Sequence, residues 1–143
     1  MSNIDKHNIP HILIVAALAE ESYPFIKMLN RTDHLSHNCV VGSWGSFKIS
    51  ILTCGVGIEP SKKATTAILE RRSFDCILNA GTCGALTDDL PIGSMCSVSS
   101  VLQKDTAAIF INTSRSCRLI TVSKPVTTIK TRKSLEKITI KNQ

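Results

Sequence analysis

The chain has 143 residues, 43% apolar, 20% charged and only 4% aromatic, which suits one domain with a core of Ile, Leu, Val, Ala and Cys and excludes intrinsic disorder. No stretch approaches the ~18 apolar residues that span a bilayer, and the polar N-terminus carries no signal-peptide core, so a cytoplasmic protein without membrane contact is expected. The formal charge of +6 gathers late, where Lys124, Lys130, Arg132, Lys133, Lys137 and Lys141 face Glu136 alone; without interleaved aromatics this reads as a solvated helix or tail, and nucleic acid is not an expected partner.

In chain order, residues 1–10 read as a loose leader ending at Pro10. The nearly continuous apolar run 11–18 predicts a central parallel strand. A helix is expected from Ser22, with Pro24 in its first turn and Phe25, Met28 and Leu29 as its core stripe. Residues 30–37 read as a polar loop. Two strands over 39–44 and 47–53 are joined through Gly45. A second helix opens at Glu59-Pro60, turning Ala64, Ala67 and Ile68 inward and Lys62, Lys63, Glu70, Arg71 and Arg72 to water.

Residues 75–80 form the next predicted strand. Its run Cys76-Ile77-Leu78 is of the kind buried on both faces of a parallel sheet. A polar connection over 87–93, a strand over 95–102 and a patternless stretch over 106–118 follow. Residues 118–126 then read as strand, Pro125 as a turn and 127–137 as a short helix. The expected class is α/β, with a mostly parallel central sheet between flanking helices in three layers, and a single domain over 1–143.

The six cysteines (Cys39, Cys54, Cys76, Cys83, Cys96, Cys117) contain no Cys-x-x-Cys pair, so reduced thiols acting as small hydrophobes are expected rather than a disulfide framework or a zinc site. His34 and His37 stand three apart with no third ligand nearby and read as surface residues. Neither a metal nor a cofactor is expected.

Three strand ends carry the most information. The run 12–18 leads into Ala19-Glu20-Glu21, the run 49–53 leads to Gly55-Val56-Gly57, and Asp75 to Ala80 leads to Gly81-Thr82-Cys83-Gly84. Glycine lets another group approach the main chain closely, and open α/β sheets bind ligands at the carboxyl ends of their strands. Taken together, Val15-Ala16-Ala17-Leu18-Ala19-Glu20-Glu21, Thr53-Cys54-Gly55-Val56-Gly57 and Asn79-Ala80-Gly81-Thr82-Cys83-Gly84-Ala85-Leu86 resemble, in that order and spacing, the nucleoside phosphorylase/nucleosidase superfamily. The methylthioadenosine/S-adenosylhomocysteine nucleosidase branch is the most similar. The likeness covers roughly residues 11–106.

That resemblance implies a phosphorylase/hydrolase-like fold and cleavage of an N-glycosidic bond. It places Glu21 as the carboxylate that activates the attacking water, with Glu20 beside it. It places Val56 and Gly57 near the sugar and the water, and Thr82, Cys83 and Gly84 along the nucleoside. The residues themselves also admit a structural role for each: acidic groups at a helix start are favoured by ~0.3–1 kcal/mol through the dipole alone, and small residues allow close strand–helix packing. A phosphate site wants Arg or converging N–H donors, whereas the first loop offers two carboxylates, so water suits it better than phosphate.

The family's later Met-Glu motif, its ribose-gripping Glu and its base-protonating Asp have no match here. Glu136, the last carboxylate, lies in a basic context. The expected protein is therefore a nucleosidase-like, truncated domain of purine nucleoside metabolism, weakly active or inactive, with a small-molecule nucleoside as partner. The alternatives are a non-catalytic interaction module or nucleoside-binding remnant, assembling as a homodimer or higher oligomer, and a nucleoside phosphorylase.

Overall fold

The computed structural model describes residues 9–86, 88, 90–103, 116–121, 127–130 and 133–134. The chain divides into two compact units, Met1–Thr82 and Cys83–Gln143.

The first unit holds a five-stranded sheet in the order β2-β3-β4-β1-β5. Its strands are β1 (His11–Ala16), β2 (Asn30–Ser36), β3 (Cys39–Trp44), β4 (Phe47–Thr53) and β5 (Cys76–Asn79), with helices α1 (Ala19–Met28) and α2 (Ile58–Leu69). β1 runs parallel to β4 on one side and to β5 on the other, while β3 is antiparallel to β2 and β4. The class is α/β with a mixed sheet.

Alternation along the two central strands sorts the core into two layers. Leu13, Val15 and Leu52 point to one face, where Ala64 and Ile68 of α2 and Phe74 pack against them. Ile14, Ile49 and Ile51 point to the other, where Phe25, Ile26 and Leu29 pack. The sheet therefore lies between one helix on each face. Leu13, Ile51 and Leu52 are among the largest fully buried side chains, each worth ~1.5–3 kcal/mol of burial.

Several sequence expectations are corrected. Residues 30–36 are not a loop but the edge strand β2; a strand exposed on nearly all its residues shows no apolar alternation to read. α1 begins at Ala19, three residues before Ser22, so Pro24 lies inside the helix and not in its first turn. Pro60 does fall in the first turn of α2, where its absent N–H would have no partner. Ala67 is exposed rather than turned inward. β5 is parallel, as its apolar run suggests, yet among the described residues it ends the sheet, with Ile77 48% and Leu78 49% exposed, and is not buried on both faces.

The described part of the second unit contains β6 (Ser97–Gln103) and β7 (Ser116–Thr121), paired in parallel. The predicted strand beginning at Arg118 thus starts at Ser116. The leader over 1–8, most of the stretch 106–118, Pro125 and most of the basic segment lie outside the described residues. Of the cysteines, Cys39 and Cys54 are buried and Cys76 and Cys83 exposed; burial pushes the Cys39 thiol up from its ordinary range.

Candidate functional site

The parallel register of β1, β4 and β5 brings their carboxyl ends to one level. Ala16 lies opposite Thr53, and Val15 opposite Asn79. Main-chain bonds carry the alignment past the strand ends: the Cys54 amide donates to the Ala16 carbonyl at 2.8 Å, Gly55 to Ala17 at 3.0 Å, and Ala80 to Val15 at 2.9 Å. The three segments, two of them glycine-bearing, therefore leave the sheet side by side.

Glu21 projects from the first turn of α1 and joins two of them. Its Oε1 accepts the Thr82 amide and the Thr82 hydroxyl, each at 2.7 Å. Its Oε2 accepts the amides of Leu18 at 3.1 Å and Ala17 at 3.2 Å. Leu18 is the N-cap and has no side-chain oxygen, so the carboxylate at the third helical position supplies the capping interaction alone. The Thr82 amide, more than any other group, holds the Glu21 carboxyl below its ordinary range; burial opposes this, and the Thr82 hydroxyl and the Leu18 and Ala17 amides reinforce it. The carboxylate is ionised at neutral pH.

Gly81 completes the surroundings. A Cβ there would lie 3.2 Å from Oε1 of Glu21, so the bare main chain is what lets the carboxylate rest against this loop. Glycine is also required at Gly55 (φ 85°) and Gly57 (φ 108°), both in the left-handed region that side chains avoid. Gly57 is the N-cap of α2, and Val56 beside it is 69% exposed.

The structure thus brings Glu21 and Thr82 into direct contact and puts Val56 and Gly57 on the segment leaving β4. Cys83 and Gly84 belong to the second unit and are exposed. Glu20 is exposed on the first turn of α1. No group of three or more His, Cys, Asp or Glu able to hold a metal occurs among the described residues.

Sequence reasoning missed the supports. Ser22 is buried, and its hydroxyl accepts from Thr53 Oγ1 at 2.9 Å and donates to the Ala19 carbonyl at 3.1 Å. That relay fastens the turn bearing Glu21 to the end of β4. A hydroxyl directly after a Glu-Glu pair, with another closing a strand, was the available signal. The Ala17 and Leu18 amides left none, because main-chain donors are invisible in side-chain patterns.

The chain belongs to the phosphorylase superfamily, whose sequence profile matches residues 11–137. Among curated relatives it is similar to the 5'-methylthioadenosine/S-adenosylhomocysteine nucleosidase of Anoxybacillus flavithermus, 29% identical over 98 residues, which is 66% of this chain and 42% of that protein. The enzyme of the same description from Shewanella pealeana is 32% identical over 66 residues, 46% of this chain and 29% of that one. The chain therefore spans less than half the length of these relatives.

Solved structures share the fold at low identity. The nucleosidase of Neisseria meningitidis, determined with methylthio-immucillin-A, matches with a TM-score of 0.78 and 14% identity over 90% of this chain and 71% of that one. The futalosine hydrolase of Helicobacter pylori matches with a TM-score of 0.72 and 16% identity over 92% and 74%. No helix among the described residues is long and apolar enough to cross a membrane.

Proposed function

We propose that this chain is a nucleosidase-type domain that hydrolyses the N-glycosidic bond of a purine nucleoside, with water activated by Glu21. The observation that supports this most is an ionised carboxylate fixed against bare main chain where three parallel strands end. In the reaction, water oxygen bonds to the anomeric carbon as the carbon–nitrogen bond breaks. Glu21 accepts the water proton, and the bond electrons leave with the base, which must itself be protonated. Val56 and Gly57 would lie beside the sugar and the water, and Thr82, Cys83 and Gly84 along the nucleoside.

Membership of the superfamily and the likeness to methylthioadenosine/S-adenosylhomocysteine nucleosidases support the substrate class. A reducing, cytoplasmic setting fits the free thiols among the described residues. The test is base release from methylthioadenosine, S-adenosylhomocysteine and adenosine, with and without phosphate. Release independent of phosphate is expected, whereas release that requires phosphate makes the domain a phosphorylase.

A second reading is favoured by β5. Among the described residues β5 ends the sheet and exposes Ile77 and Leu78; an edge of this kind is a template for pairing with another chain, which suits an association module or a homodimer. Sedimentation at rising concentration tests it, and a constant monomer mass removes it.

A further inference from the structure

The Glu21 carboxylate has about four lone-pair sites, and four donors take them. Three of those donors are main-chain amides, of Ala17, Leu18 and Thr82, each fixed by the segment that carries it. The fourth, the Thr82 hydroxyl at 2.7 Å, turns about a single side-chain bond. A base that removes a proton from water must accept a hydrogen bond from that water. One of the four donors has to leave first, and only the hydroxyl can do so with the backbone unmoved. Thr82 is exposed, so its rotated hydroxyl finds solvent or a ligand oxygen at little cost.

We propose that Thr82 is a positioning residue whose hydroxyl caps the fourth acceptor site of Glu21 in the resting domain and rotates away to admit the reacting water. This rests on the nucleosidase reading and adds to the expected place of Thr82 along the nucleoside. The Thr82 amide stays on Oε1 throughout and keeps the carboxylate in place, while the hydroxyl yields to water.

The test compares wild type with Thr82→Val, which removes the hydroxyl at nearly constant shape, and Thr82→Ser, which keeps it. Two readouts are used: the Glu21 carboxyl titration followed by ¹³C NMR, and the pH profile of kcat for methylthioadenosine hydrolysis. With Thr82→Val, the titration and the acid limb of kcat should both move upward, and any fall in kcat should stay well short of that in Glu21→Gln. Loss of the base itself would cost roughly 10² or more. Thr82→Ser, which keeps the hydroxyl, should keep the wild-type Glu21 titration and acid limb.

A tenfold or greater fall in kcat for Thr82→Val with an unmoved acid limb overturns the proposal. So does a Glu21 titration identical in wild type and Thr82→Val. If wild type hydrolyses no nucleoside, the nucleosidase reading fails. The NMR arm then decides the contact by itself: an upward titration shift in Thr82→Val with unaltered Ala17 and Leu18 amide signals supports the cap, and an unchanged titration refutes it.

Discussion

Glu21→Gln should destabilise the first unit by about 1–2 kcal/mol, and the size follows from its four partners. The substitution removes the charge and makes one of the two oxygens an NH₂ group. If that NH₂ faced Ala17 and Leu18, two amides would lose their acceptor. Facing Thr82 costs less, because the hydroxyl can reverse and accept, which leaves only the Thr82 amide without its partner. An unmade bond of this kind costs roughly 1–3 kcal/mol, with the low end suited to an exposed residue, and the two remaining amide bonds lose charge assistance. Water offsets part of that total at a partly exposed site. Urea unfolding followed by circular dichroism measures it: at a slope of ~2 kcal/mol per molar urea, the middle of the typical range, the midpoint should fall by roughly 0.5–1 M. An unchanged midpoint would show that the four bonds carry no net weight and that Glu21 does not tie the segments after β1 and β5 together.

Three further outcomes follow from the packing and the titrating groups. Leu13→Ala empties a site with 0% exposure between β1 and α2, so a loss of ~2–5 kcal/mol is expected; a loss under 1 kcal/mol would mean the layer is not packed as described. Gly42→Ala sets a Cβ 2.9 Å from that of Leu29 and 3.0 Å from the Asn30 carbonyl oxygen, so thermal unfolding should register about 1–3 kcal/mol of overpacking, and an unchanged melting temperature would refute that contact. Acidification should weaken the fold in two steps. Burial holds His11 below its ordinary 6.5, with Lys48 and Arg72 assisting against Asp75, and Glu21 is held below 4.5. In each window the unfolded chain binds the proton first, so stability is present above the unfolded value and falls as pH drops through 6.5 and later through 4.5. In His11→Gln the first step should vanish from a pH series of urea midpoints; its persistence would exclude His11.

The parts of the fold that were legible share one physical cause. β1, β4 and β5 appear in the sequence as β-branched and leucine-rich runs, each followed by a turn of small or glycine residues, because a parallel strand between helices needs apolar side chains on both faces. β2 was illegible because it lies at an edge: Arg31, Thr32, Asp33 and His34 face water, and pairing with β3 is main-chain bonding that any residue can supply. The same limit misled in the other direction at β5, where Ile77 and Leu78 promise a buried strand and sit half exposed. α1 began early because Leu18 carries no capping oxygen to announce it; the cap comes from Glu21, within the helix. At the site, Glu21 and Thr82 were legible as separate residues. Their 2.7 Å contacts join positions sixty-one apart, and the buried Ser22–Thr53 relay that steadies them depends on tertiary placement.

The most direct test is the initial rate of adenine release from methylthioadenosine by wild type and Glu21→Gln, measured without phosphate. Release by wild type that falls by roughly 10² or more in the variant is the predicted result. Equal rates in the two proteins would leave Glu21 as a helix cap and loop tie, and would contradict the assignment of water activation to this carboxylate.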